Sequence, residues 1–336
     1  NPVVAVPDPD VSLKPEQSTT YEIGTEWRFL DDLLTVDLSA YKGNTINQLL
    51  QRPAPVNPYG AANYWINGGN LENKGFEAVI GVTPVKSQDY NYTATLNFSL
   101  NRTKVIELPN EAARIDLTTA GNNNYISRLT VGGQYGDIYG YDFDRDENGN
   151  TKYDPSGLPA KNSQFVLLGN PNPRFMLGFN NSFRYKNINL NLLIDGRWGG
   201  KVMSLSQAQL DLFGTSQATA DARHQGYVML EGHKISEVKE FNEDGTVKNT
   251  YTGADAVAKY YQSVAGRAGV TSQYMYDATN VRLRELSLGY TFPSSMLNSK
   301  IVKSITLSVI GRNLFYISKD APFDPEASMS TGNGLQ

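Results

Sequence analysis

Residues 142–154 read DFDRDENGNTKYD. Within them Asp144, Asp146, Asn148, Gly149 and Asn150 stand where a D-x-D-x-N-G calcium loop carries oxygen ligands and its turn glycine. A hard divalent cation takes roughly six to eight oxygens, and such a loop closes with a bidentate Glu at its twelfth position. Here that position is Pro155, and Asp154 is the nearest carboxylate. Ca2+ on Asp144, Asp146, Asn148, Asn150 and Asp154 is one reading; an acidic surface turn shaped by Gly149 is the other. His224 and His233 have no His/carboxylate ligand set near them and read as solvated side chains rather than metal ligands. The chain has no cysteine, which excludes disulfides and thiol chemistry. It carries no G-x-S-x-G, no P-loop and no strand-borne G-x-G-x-x-G, and paired acids such as Asp31 and Asp32 fall in turns, where Asp is favoured for backbone reasons. The expectation is that the chain is not an enzyme.

Binding chemistry is better represented. Sugar rings stack on flat aromatic faces and hydrogen-bond at their edges, and Tyr59, Tyr64, Trp65, Tyr125, Trp198 and Tyr274 lie on or beside long connections where such faces can be presented. Each also reads as a loop-packing residue. Arg197, Arg282 and Arg284 sit on polar strand faces, where they can line a route or pair with carboxylates. The net charge of −4 and the absence of a Lys/Arg run argue against nucleic acid.

The elements that position these residues are strands. Across residues 169–200, Phe175, Leu177, Phe179, Phe183 and Tyr185 share one face, and Ile188, Leu190, Leu192, Ile194 and Trp198 repeat the period of two. Only Lys186 and Asn187 separate the arms, so they must pair antiparallel. Arms of this length exceed the usual ~5–6 residues and, tilted, rise about 25–30 Å, close to the apolar band of an outer-membrane barrel. The pattern recurs at Tyr21, Ile23, Trp27 and Phe29, then Leu34, Val36 and Leu38; at Phe76, Ala78 and Ile80, then Tyr92, Leu96, Phe98 and Leu100; and in residues 281–292 and 304–316. Weaker strands at 125–131 and 135–143 meet at Gly132-Gly133.

This predicts ten strands in five hairpins, with short joins alternating with long ones at residues 44–71, 144–173 and 201–278. Such alternation suits an all-β, antiparallel up-and-down transmembrane β-barrel with short periplasmic turns and long extracellular loops. The longest join carries its own structure: Val257, Tyr260, Tyr261 and Val264 form a helical face, and Asp244-Gly245 centres a small hairpin. No apolar run reaches the ~18 residues of a membrane helix, and a mean hydropathy of −0.42 is compatible with a barrel, whose strands turn only alternate residues to lipid. The alternatives are a secreted glycan-binding β-sandwich, with the apolar face as its core, and a structural adhesin-like module. Polar faces of Asn, Ser, Thr and Gly rather than Lys and Glu favour the barrel.

Several blocks resemble SusC/RagA-type, TonB-dependent outer-membrane transporters of Bacteroidetes: LKPEQSTTYEIGTEW from Leu13, NGGNLENKGFEAVI from Asn67, YGDIYGYDFD from Tyr135, GNPNPRFMLGF from Gly169, DATNVRLRELSLGYTFP from Asp277 and VIGRNLFYISKDAPFDPE from Val309. The resemblance implies that residues 1–336 are the C-terminal part of a larger barrel. The plug domain, the first half of the barrel and the last strand are then expected outside this stretch. It implies import of oligosaccharides or peptides, a SusD-like surface lipoprotein as partner, and energy from TonB–ExbB–ExbD through segments that lie elsewhere.

Overall fold

The computed structural model describes residues 5–7, 12–53, 63–109, 113–117, 125–297, 301–302 and 304–326. Eight long strands dominate: β1 (Gln17–Phe29), β2 (Leu34–Ile46), β3 (Asn70–Lys86), β4 (Tyr90–Glu107), β5 (Phe175–Tyr185), β6 (Ile188–Trp198), β7 (Asn280–Phe292) and β8 (Ile305–Lys319). They lie in chain order in one antiparallel sheet whose edges are β1 and β8. Hairpins join them in pairs, tight at residues 30–33, 87–89 and 186–187, and longer between β7 and β8, where residues 293–304 intervene. The β1–β2 turn takes left-handed φ at Leu30, Asp31 and Asp32, the conformation that turns a chain back without splaying its strands.

Register shows what the sheet is built for. Trp27, Val36, Ile80, Leu96, Phe179, Ile194, Leu283 and Phe315, one from each strand, stand side by side in an unbroken apolar row. One residue along, on the other face, the row reads Glu26, Asp37, Val79, Asn97, Gly178, Asp195, Arg282 and Tyr316. Closer to the hairpin turns, Tyr92, Phe183, Leu190, Leu288 and Val309 form another apolar row. Leu288 and Val309 are exposed, at 55% and 75%, and Tyr92, Phe183 and Leu190 are half-buried, whereas Ser287, next to Leu288 on the other face, is 8% exposed. Among the described residues no second sheet covers that face, which overturns the sandwich, since a sandwich would bury it. From Tyr90 to Leu100 the apolar face of β4 runs about 33 Å along the strand, or roughly 25 Å along the normal at a tilt near 45°, the height of a membrane band.

The fifth expected hairpin is a different object. Tyr125–Thr130 and Ile138–Gly140 do pair across the Gly132-Gly133 turn, but inside a separate four-stranded sheet with Arg114–Asp116 and Val166–Gly169. Strands of six and three residues cannot span lipid, and Ile126 and Leu129 are both buried, so no face is left for it. The continuous sheet therefore has eight strands, not ten.

Conventional cores sit in the long joins. Leu50, Ile66, Leu71, Val105, Leu108, Ile115, Leu117 and Leu129 form one cluster at the far ends of β3 and β4. A second surrounds the helix Ala254–Val264, where Val257, Tyr260 and Val264 are buried and Tyr261 packs alongside, as their spacing predicts. The expected hairpin is present as Glu237–Phe241 and Val247–Thr252. Two further helices, Leu205–Leu212 and Gln217–Gln225, are capped by Ser204 and Ser216, whose hydroxyls accept the Gln207 and Thr219 amides. The Gln217–Gln225 helix stops at Gly226, whose φ of 76° is left-handed.

Candidate functional site

The strongest convergence of charge lies on the polar face, toward the long-join ends of β6, β7 and β8. Register sets Asp195 opposite Arg282. Arg284 is the extra residue of a β-bulge: Leu193 pairs with Glu285 and Ile194 with Leu283, which leaves Arg284 unmatched. The bulge re-aims the guanidinium, and it resets the alternation so that Leu286, Leu288 and Tyr290 return to the apolar face.

Arg284 makes a two-pronged contact with Asp195, Nε to Oδ2 at 2.9 Å and Nη2 to Oδ1 at 3.0 Å. Its Nη2 also reaches Glu326 at 2.7 Å, and Nη1 donates to the Asn313 side chain at 2.7 Å. Arg282 is buried. It donates to Asp324 at 2.9 Å and Glu326 at 3.3 Å and stacks over the Tyr316 ring at 3.9 Å, while its Nε is buried without a hydrogen bond. Arg197 stands at the margin, 3.9 Å from Glu326 and largely exposed. Three guanidiniums thus meet three carboxylates, Asp195, Asp324 and Glu326. Burial pushes the Asp324 carboxyl up, but hydrogen bonds from Tyr316, the Glu326 amide and Arg282 outweigh it and hold the group at about 2. The chemistry is that of a charge-balanced clamp holding residues 320–326 against the wall. Beside it, Glu77, Asn97, Ser99, Met176, Asp195 and Arg197 line a concavity of about 390 Å³.

The three arginines singled out from the sequence are brought together; the aromatics are not. Trp198 stacks on Phe175 at 5.1 Å and Phe175 on Phe98 at 5.8 Å, an aromatic ladder on the apolar face. Tyr274 is buried with Met203, Ala208 and Ala265 and donates its hydroxyl to Asp211. Burial and that neighbouring charge push its phenol well above the usual range. Tyr125 packs on the same cluster. Trp65 is half-buried opposite Gln51, Tyr64 is next to it on the strand Asn63–Asn67, and Tyr59 lies outside the described residues.

The acidic loop is a stack of tight turns. Asp146 accepts the Asn148 and Asn150 amides, and hydrogen bonds from the Asn150 backbone and side chain hold its carboxyl below the usual range. Asp154 accepts the Ser156 and Leu158 amides, and Asp144 pairs with Lys152 at 3.3 Å. Turn amides and a lysine thus occupy oxygens that a cation would need. Among the described residues no three acidic or histidine side chains gather around one point.

Asp324, Glu326, Asn313 and Tyr316 were not singled out from the sequence. Their one signal is that Asp324 and Glu326 lie in the FDPE stretch after β8; the spacing of three between Leu283 and Leu286, where two is the rule, marks the bulge.

The family model described as TonB dependent receptor-like, beta-barrel, matches residues 1–158. TonB-dependent receptor P3 of Formosa agariphila is 28% identical over 99% of this chain and 33% of its own length. The chain is similar to the TonB-dependent receptor β-barrels. TonB-dependent receptor SusC of Bacteroides thetaiotaomicron is 25% identical over 94% of the chain and 30% of the relative. The fold is that of the RagAB peptide transporter structure, with a TM-score of 0.63 and 18% identity over 93% of this chain and 33% of that one. The chain spans about a third of the length of the relatives it matches. The chain is an outer-membrane protein: its apolar rows face lipid, and the polar face with its arginine cluster is the inner wall.

Proposed function

We propose that this chain supplies wall and outer loops to an outer-membrane transporter that imports oligosaccharides or, as the second reading, peptides. The observation that supports it best is the two-sidedness of the sheet, apolar on one face and polar and ion-paired on the other, which is what a wet passage through lipid requires. In this reading TonB–ExbB–ExbD drives uptake, and a SusD-like surface lipoprotein docks on the long joins, whose packed cores give a partner a firm surface. Peptides stay in the reading because RagAB, a structural neighbour, is a peptide transporter. The test is uptake of labelled oligosaccharides and peptides by cells expressing or lacking the complete receptor, with and without functional TonB. Uptake of both that is indifferent to the receptor would sink the reading, and uptake that persists without TonB would remove the energy coupling from it.

A further inference from the structure

A second cavity lies away from the arginine cluster, on the small sheet between β4 and β5. Arg114, Arg128, Tyr141, Gln164 and Phe165 wall a concavity of about 310 Å³. That is the small end of ligand pockets, which run from roughly 300 to 1,000 Å³. Arg128 is nearly fully buried and fixed by Asp116, Nε to Oδ1 at 2.5 Å and Nη2 to Oδ2 at 3.2 Å, with its guanidinium over the Tyr139 ring. Arg114, on the edge strand Arg114–Asp116, is exposed and has no carboxylate partner among the described residues. Tyr141 and Phe165 meet edge to face at 4.6 Å, and the Lys161 ammonium sits 4.3 Å over the Tyr141 ring. Three cations therefore surround an aromatic corner, and the one carboxylate paired among them, Asp116, is spent on Arg128.

Resting on the transport reading above, we infer that this concavity binds an acidic sugar unit, a pyranose ring bearing a carboxylate. The Phe165 and Tyr141 faces supply the flat apolar surface on which a ring's C–H bonds rest. The uncommitted Arg114 fork takes the carboxylate, with Arg128 behind it as a fixed positive charge. Gln164 offers a donor and an acceptor to ring hydroxyls. The concavity is a short bowl lined by side chains, of a size to take a single ring.

The test uses the complete receptor in detergent with three probes: tri-galacturonic acid, its fully methyl-esterified form and tri-glutamate. Wild-type protein binds the acid trisaccharide in preference to the ester. Arg114→Gln lowers that affinity about tenfold, the size of one lost charge-assisted hydrogen bond, and leaves the ester unaffected. Phe165→Ser weakens both saccharides, and Lys234→Gln, on another loop, weakens neither. Heat-modifiable mobility on SDS gels establishes that each variant is a folded barrel. Acid and ester binding alike, or Arg114→Gln and Phe165→Ser leaving acid binding unchanged, would overturn the inference. Arg114-dependent binding of tri-glutamate in place of the trisaccharide would convert the ligand to a peptide. TonB-dependent uptake of neutral oligosaccharides by wild-type cells would uphold the transport reading even where this pocket fails.

Discussion

Glu326 touches all three arginines of the inner-wall cluster, and its side chain is 14% exposed. Removing its charge would leave Arg282 and Arg284 facing each other with only Asp195 and Asp324 to balance three guanidiniums. Breaking a fully buried pair costs about 3–5 kcal/mol, and this partly wet site is expected to lose about 1–3. Glu326→Gln in the complete receptor should therefore lower the denaturant midpoint; an unchanged midpoint would show that the cluster contributes no stability. Asp324 adds a pH dependence whose sign follows from its depressed pKa. A carboxylate held at about 2 in the folded protein, against an ordinary value near 4, stabilises the folded contact above pH ~4 and loses that contribution as pH falls toward ~2. Protease sensitivity of residues 320–326 should thus rise between pH 4 and 2 and stay flat from pH 5 to 8. A rise near pH 6 would assign the tether to another group.

At the scale of single elements, the two faces of β4 should respond oppositely to the same change. Leu96 lies in the mid-membrane apolar row, and an arginine there costs about 2–4 kcal/mol at the bilayer midplane. Asn97 faces the inner wall near Asp195, where an arginine meets water and carboxylate. Leu96→Arg should depress outer-membrane levels while Asn97→Arg leaves them near normal, as read by membrane fractionation. Equal losses would mean that the faces were assigned wrongly. The hairpin Glu237–Phe241/Val247–Thr252 is exposed over most of its length, though Val238 and Tyr251 root it in the loop core. Deleting residues 239–250 is expected to weaken capture of the proposed SusD-like lipoprotein without affecting barrel assembly. Pull-down of the partner from solubilised outer membranes checks this, and undiminished capture would take the hairpin out of the docking surface.

For the molecule as a whole, the distribution of apolar residues is inverted relative to a water-soluble sheet. The long strands expose many of their large apolar side chains, and the packed clusters lie in the joins and at the far ends of β3 and β4. Sheet and loops are therefore held by different forces, the one by lipid and ladder hydrogen bonds, the other by burial from water. Tyr260→Ala removes a side chain that is 1% exposed at the centre of the largest loop cluster, at a cost of about 3–5 kcal/mol, and that loss should stay local. Hydrogen exchange in the complete receptor should accelerate across residues 201–278 while β1 to β8 remain protected. Acceleration in the strands as well would show one cooperative unit where two are expected.

What the sequence determined by itself is which side of each strand meets lipid, because that partition is decided residue by residue: Leu96 and Phe98 prefer hydrocarbon, Asn97 and Ser99 water, and the period of two does the rest. The tight turns at Asp31 and Lys186 and the helix of Val257, Tyr260 and Val264 were legible for the same local reason. The pairing of residues far apart along the chain was not. Gly132-Gly133 is a genuine hairpin turn, yet only the company of Arg114–Asp116 and Val166–Gly169 places it in a loop sheet rather than in the wall. Arg282 and Arg284 were visible as polar-face arginines, but their carboxylates come from β6 and from a loop some forty residues on, brought into reach by strand register and one bulge. Local chemistry fixes a residue's preferred solvent; only the closed set of strand pairings fixes its neighbours, because those contacts form between segments whose sequences carry no mark of one another.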